Sequence, residues 1–389
     1  MKNPYLASKS IHNAPHFQIG MDSEDVGLVV AAGAVNRRRL LAFVLLLRKR
    51  RSIRCRGYVT CNALRTPSYS QWNHFYRFAD DVSFIATTSL MRLSFQQLLG
   101  GFSNYYSINT GSHGGRPCRL LNTHEALGCL LSYYSDTIGY KNLSQLFCIP
   151  PATLSRVIDK AEDALAKALD DEPMSRVAWP SLREQSLWAQ KVERKCPLVK
   201  GRWGFIDGKN YRVQTPTDHD LQNAYYNGCL HSVFVTGSIC FGVDGTIVWY
   251  RHNCPGSWND GETSRQFQLK LCREDINLEG HKVLSDSAFP VSGALFGRIV
   301  TPLKEGDLER AQVGTRATLA ALSSAITSMR QAAEWGMGSV EKPYRRLLET
   351  LPYQQRKRGR RLRNLFRLYN FRVRSTGISQ IRSYFDSPC

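Results

Sequence analysis

The chain has 389 residues, 42% of them hydrophobic, which is enough to bury a sizeable core and suggests two or three domains. Lys and Arg number 52 against 32 Asp and Glu, a net charge of +20, so a polyanion is the expected partner: nucleic acid first, an anionic membrane surface second. The 11 cysteines form no CxxC pair, which gives a zinc site no support and fits a reducing compartment, and the longest apolar run, residues 40–47, is too short to span a bilayer.

Residues 1 to about 35 show no sustained periodicity and no signal-peptide core, so disorder or loose structure is expected there, in a soluble intracellular protein that is nuclear where the source has a nucleus. From Arg37 to Arg56, basic residues flank LLAFVLLL, which reads as a basic helix or arm. Residues 72–106 place Phe75, Phe78, Phe84, Leu93 and Leu98 at loosely helical spacing, with Gly100 and Gly101 as a stop. A helix is predicted after a Thr123 cap, a short one over NLSQLFC, and a longer one after Pro150 and Pro151, with Leu154, Val157, Ile158, Ala161 and Leu165 on one face. Short helix, tight turn and longer helix make a helix-turn-helix-like arrangement. It would aim Ser155, Arg156 and Lys160 at DNA, although three ordinary packed helices read the same way.

From Trp203 the pattern changes to strands. GFIDGKNYRV runs an apolar pair into Asp207, a buried carboxylate that is costly unless a cation meets it. HSVFVTGSICFGVDGTIVWYR reads as a hairpin turning at Asp244-Gly245. A helix follows, capped by Asn259 or Asp260. The short strand of KVLSDSAFP then delivers Asp286, and a helix over SGALFGRI, a strand over VTPL and a long helix from about Arg310 to Thr350 complete the series. Three antiparallel strands, helix, strand, helix, strand, helix is a ribonuclease H-like α/β layout, a mixed sheet flanked by helices, here with an N-terminal all-α region.

In that layout the first and fourth strands are neighbours, which would bring Asp207 and Asp286 together. The long helix offers Glu334, one turn after Arg330, as a third carboxylate. Gly336 and Gly338 beside it imply close approach of another backbone, and Glu341 is a rival that spacing does not remove. Three converging carboxylates call for Mg²⁺ or Mn²⁺, and two such ions support an in-line phosphodiester displacement. Singly, each residue is more often a turn or a solvated helix position; jointly, in one topology on a basic chain, they read as a catalytic and metal-binding set.

Asp207 in GFIDGKN, YYNGCLHSVFV, PGSWND, LSDSAFP, TPLK, the RxxxEWGMG block and the closing YNFRVRSTGISQIRSYF together resemble the DDE transposases of the PIF/Harbinger superfamily, over roughly residues 120–389. The resemblance implies Asp207, Asp286 and Glu334 as the acidic triad, favours Glu334 over Glu341, and gives Asp260 an accessory place beside the site. It also implies DNA cleavage at element ends and strand transfer into a short target site. A Myb-like accessory protein is the implied partner, with an oligomer assembled on DNA. Two positions depart from the family pattern: Asn259 stands where His is common, and Asp207-Gly208-Lys209 where a DGT-like turn is common. A host-recruited, inactive DNA-binding derivative is the alternative.

The closing basic stretch could pack Leu362, Leu365, Phe366 and Tyr369 inward while Arg356, Lys357, Arg358, Arg360 and Arg361 meet phosphates or signal nuclear import. The expected organisation is a partly disordered basic arm (1–64), a helical DNA-binding region (65–170), a linker (171–200), a catalytic domain (201–350) and a basic C-terminal segment (351–389).

Overall fold

The computed structural model describes residues 37–55, 59, 61–108, 120, 122–289, 293 and 297–387. The disorder expected over residues 1–35 and most of the helix expected over SGALFGRI lie outside them. The chain divides into two units, Met1–Tyr58 and Val59–Cys389. In the first, helix α1 (Arg37–Cys55) carries the expected basic run and exposes Leu41, Leu45 and Leu46. No helix among the described residues is long and apolar enough to cross a membrane.

The second unit begins with helices α2 (Gln71–Phe78), α3 (Asp81–Thr88) and α4 (Arg92–Ser103), where the sequence promised one loosely periodic stretch. Gly100 and Gly101 do not stop a helix; they lie within α4. Helix α5 (Thr123–Ser135) starts one residue earlier than the Thr123 cap implied: Asn122 occupies the cap position, and its N–H donates to the Glu125 carboxylate at 3.0 Å. Helices α6 (Tyr140–Phe147) and α7 (Pro151–Asp171) form the expected short-turn-long pair. Trp72, Phe84, Phe95, Leu130, Phe147 and Leu154 are all buried in the core that joins these helices to the rest of the unit.

Helix α8 (Leu182–Lys195) opens with a Ser181/Glu184 capping box and packs on the sheet, since the Trp188 ring lies where a side chain on Gly242 would be. Residues 171–200 thus contribute to the same body as the strands. The sheet comprises β1 (Arg202–Arg212), β3 (Ser232–Gly242), β4 (Ile247–Pro255), β5 (Lys282–Leu284) and β6 (Ile299–Val300), with a two-residue spur, β2 (Tyr226–Asn227), behind the short helix α9 (His219–Tyr225). The order is β2-β3-β1-β5-β6, and β4 also pairs with β3. β3 is antiparallel to β1 and β4, whereas β1, β5 and β6 run parallel. The chain therefore has the expected ribonuclease H-like architecture, and the Asp244-Gly245 turn joins β3 to β4 with Gly245 at φ +82°.

Helices cover both faces of the sheet. On one, α10 (Asp260–Leu271) is tied to β3 by a Ser238 Oγ–Thr263 Oγ1 hydrogen bond of 2.7 Å. After the short helix α11 (Asp307–Arg310), α12 (Arg316–Glu341) lies on the other face, where Gly336 rests on the Phe241 ring. The glycine is needed for a side chain, not for another backbone as the sequence implied. A Cβ on Gly336 would come within 2.7 Å of that ring, whereas Gly338 has no neighbour within 4 Å of the same point. Phe241 is fully buried and has no room to yield, so overpacking at about 1–3 kcal/mol should exceed the roughly 1 kcal/mol helix-propensity gain. Gly336→Ala is expected to lower the denaturation midpoint and Gly338→Ala to leave it unchanged or raise it; the opposite ranking in urea melts would refute this packing.

The basic C-terminal stretch forms α13 (Gln355–Thr376) and α14 (Gln380–Asp386). Leu362, Leu365, Phe366 and Tyr369 are buried as expected, but several arginines of α13 are buried too.

Candidate active site

Asp207 and Asp286 reach the same level by strand register. Phe205 on β1 pairs with Leu284 on parallel β5, and each aspartate lies two residues beyond its member of that pair. Asp207 lies within β1, which runs on to Arg212, whereas β5 ends at Leu284, so Asp286 sits at that strand's carboxyl end, where it gives way to a turn. Such an end collects functional groups because the chain leaves the sheet there. Local bonds orient both carboxylates: the Gly208 N–H donates to Asp207 Oδ1 at 2.8 Å and the Ala288 N–H to Asp286 Oδ1 at 3.0 Å.

Burial pushes the Asp207 carboxyl up to about 6, the Gly208 N–H and Arg330 oppose the rise, and the negative charges of Asp286 and Asp260 add to it. Asp260 is also raised, by burial and then by Asp286. Asp286 is thus the shared neighbour of the other two. Asn259, not Asp260, is the cap of α10: its side chain accepts the Glu262 N–H at 3.0 Å. Asp260 comes so close to β1 that its Oδ1 would overlap any Cβ placed on residue 208. Gly208 therefore answers a close approach, which explains Asp-Gly at the end of an apolar run.

The two glutamates on α12 are otherwise engaged. Glu334 pairs with Arg330 at 3.3 Å one turn away and is 54% exposed, while Glu341 pairs with Lys209 at 2.7 Å. Lys209 and Asp207 share one face of β1, so the Lys209–Glu341 pair stands beside the aspartates. Arg330 belongs to the site through its charge on Asp207 as well as through Glu334.

The donor set is made of carboxylate oxygens, which suits Mg²⁺ or Mn²⁺. Asp207, half-buried beside two like charges, is the sort of group a divalent cation relieves. Among the described residues no three His, Cys, Asp or Glu side chains converge closely enough to hold a metal. The residues thus fit a divalent ion by chemistry, with Asp207 and Asp286 as the pair that strand register holds in place.

Such a shift makes a stability prediction. The folded-state value near 6 lies above the ordinary 3.8, so between these values the native state binds a proton that the unfolded chain does not. Native stability from this group therefore falls as pH rises through that window. Without metal, Asp207→Asn is expected to stabilise the protein above about pH 7 by on the order of 2–3 kcal/mol, a gain that fades toward about pH 4. Urea melts at the two pH values check this, and a variant that is destabilised at neutral pH would contradict it.

The residues expected to touch DNA are distributed unevenly. Ser155, Arg156 and Lys160 lie on the exposed stripe of α7, with Arg156 donating to the Ala152 carbonyl and Lys160 to the Ser107 carbonyl. Arg356 is exposed at the start of α13, and Lys357 pairs with Asp159 at 3.2 Å. Arg358 is fully buried, donating to the Tyr353 carbonyl at 2.8 Å and the Tyr225 hydroxyl at 3.0 Å. Arg360 pairs with Asp159, Glu162 and Asp163, and Arg361 with Glu162 at 2.6 Å. The structure thus turns Arg358, Arg360 and Arg361 inward, correcting the expectation of a phosphate-facing row. The acidic residues that claim Arg360 and Arg361, Asp159, Glu162 and Asp163, lie about one turn apart on α7, a pattern that spacing alone had left as solvated surface.

No curated protein and no solved structure matches the chain. Residues 206–370, which contain Asp207, Asp260, Asp286, Glu334 and Glu341, match the DDE superfamily endonuclease family, and over that segment the chain is similar to DDE transposase-like nucleases.

Proposed function

We propose that the protein is a metal-dependent DNA endonuclease of the transposase type, cutting phosphodiester bonds at the ends of a mobile element and joining them to a short target site. The observation that carries the reading is the delivery of Asp207 and Asp286 to one level on adjacent parallel strands, inside the segment similar to the DDE endonucleases. Asp207 and Asp286 would hold Mg²⁺ or Mn²⁺, two ions in the full complex, with Glu334 completing the set on release from Arg330. Bound there, such ions lower the pKa of an attacking water or 3′-hydroxyl and neutralise charge on the phosphate. The chain's own residues orient and exclude: the Gly208 and Ala288 N–H groups fix the two carboxylates, and Arg330 adds positive charge beside Asp207.

Double-stranded DNA is the proposed substrate, in keeping with the +20 charge, and Ser155, Arg156, Lys160 and Arg356 are its exposed candidate contacts. The resemblance to PIF/Harbinger transposases supports the finer reading: that subfamily, a Myb-like partner, assembly of several copies on DNA, and action in the nucleus. The test is nicking of supercoiled DNA carrying the element's terminal repeats, with and without Mn²⁺. Metal-dependent nicks at the repeat ends support the reading; DNA that stays intact in Mn²⁺ at enzyme excess overturns it.

A second reading, a recruited DNA-binding protein without turnover, is favoured by one observation: both glutamates on α12 are ion-paired to basic neighbours. It predicts DNA binding that is indifferent to Mn²⁺, with no nicks.

A further inference from the structure

We infer that Arg202, Lys282 and Arg298 form an oxyanion site that takes a phosphate group, apart from the two aspartates and at the opposite end of the parallel strands. Each of these three strands opens on a cation. Arg202 is the first residue of β1 and Lys282 the first of β5, and the two are register partners. Arg298 stands just ahead of β6, and its carbonyl accepts the Val283 N–H at 3.1 Å. Strand register thus gathers three positive residues along one edge of the sheet. A Cβ on Gly297 would come within 3.5 Å of Lys282 Nζ, so the ammonium lies against the segment that carries Arg298. Asp286 lies four residues beyond Lys282, about 13 Å of extended chain, which keeps the two sites separate.

Little in the chain neutralises this row. All three residues are half-buried, and like charges set side by side repel more strongly as water is withdrawn. Burial first, then Arg202 and Arg298, hold the Lys282 ammonium below its ordinary range, and burial lowers Arg202 as well. Among the described residues the one ion pair these cations make is Arg298 with Glu274, at 3.8 Å, and that glutamate is 88% exposed, where water screens it. The other acids nearby in sequence are taken: Glu193 pairs with Lys200 and Asp275 with Arg273. The chain between Asp286 and Arg298, SAFPVSGALFG, contains no acid at all. Arg202 donates to the Lys200 carbonyl through Nη1, but its Nε is buried and has no acceptor among the described residues. A buried donor without an acceptor, in a row of cations without counter-charge, calls for an anion from outside the chain. Phosphate oxygens suit the set, since a guanidinium offers them a fixed fork of donors and an ammonium adds a point charge. A DNA backbone and a free phosphate compound both carry that group.

Two titrations of the full-length protein without metal test the site and tell its sources apart: pyrophosphate followed by calorimetry, and duplex DNA followed over a range of salt. Lys282→Met removes the central charge but keeps an unbranched stem. Should the site take free phosphate, the variant weakens pyrophosphate binding about tenfold or more and leaves the DNA salt slope alone. Should it take the DNA backbone, the slope falls by about one in Lys282→Met and about two in Lys282→Met/Arg298→Gln. Either result supports the inference. Melts supply the control, because relief of repulsion should leave Lys282→Met at least as stable as wild type, whereas a merely structural lysine would lower the midpoint and leave both titrations unchanged. Variants that match wild type in both titrations overturn the inference and leave the nuclease reading standing, and a wild type that binds neither probe overturns it too. A wild type that binds pyrophosphate but no DNA sinks the nuclease reading instead, with the pyrophosphate series still deciding this one.

Discussion

Asp286→Asn is expected to abolish Mn²⁺-dependent nicking, with a loss on the order of 10³-fold or more, while the protein stays folded and still binds DNA. The size follows from what the residue does in the site. Asp286 is the neighbour shared by Asp207 and Asp260, and its charge acts on both. Neutralising it would remove one proposed metal ligand and also part of the negative potential that would draw a divalent ion to Asp207. The fold has no comparable stake in it: the side chain accepts one local N–H, from Ala288, which an asparagine oxygen can also accept. Relief of like-charge repulsion should make the metal-free variant at least as stable as wild type. Nicking assays and melts on one preparation check both halves. Full nicking by Asp286→Asn would place the chemistry elsewhere; a variant that unfolds would mean the aspartate is a structural turn residue.

Much of this site could be read from the chain. A carboxylate closing an apolar run marks Asp207, the same theme recurs at Asp286, and the strand order that makes them neighbours follows from the hairpin turn at Asp244-Gly245 and the helices between the later strands. Asp260 was placed beside the site, but either it or Asn259 could have capped α10, and only geometry gives the cap to Asn259. Glu334 and Glu341 look equivalent on a helical wheel. Their partners, Arg330 one turn away and Lys209 on a strand far off in sequence, are what distinguish them. The Gly336 contact was foreseen as a close approach, but not that Phe241 makes it, because a glycine signals space without naming the occupant.

The basic C-terminal helix is where sequence pattern misleads most, and there the largest stability effect is expected. Glu162 and Arg361 are both buried, joined at 2.6 Å, with the Tyr134 hydroxyl donating to the same carboxylate oxygen at 3.1 Å and Arg360 reaching its other oxygen at 3.2 Å. Burial pulls the Arg361 guanidinium down, yet Glu162 more than offsets this, so the pair remains charged within the core. Removing one member strands the other. Glu162→Ala should therefore cost about 3–5 kcal/mol, and the double variant Glu162→Leu/Arg361→Met should recover a large part of that loss by replacing the pair with apolar volume. Urea unfolding of the two single variants and the double variant measures the coupling. The same series separates two roles for the arginines: if Arg361 and Arg360 hold α13 against α7, their replacement lowers stability and leaves the salt dependence of DNA binding unchanged. If they contact phosphates, the salt slope should fall by about one for each charge removed, with stability intact. A geometry in which α7 supplies Asp159, Glu162, Asp163 and Asp170 to four arginines of one neighbouring helix favours the first result. It leaves the exposed stripe of α7, with Ser155, Arg156 and Lys160, and Arg356 at the start of α13 open to a polyanion.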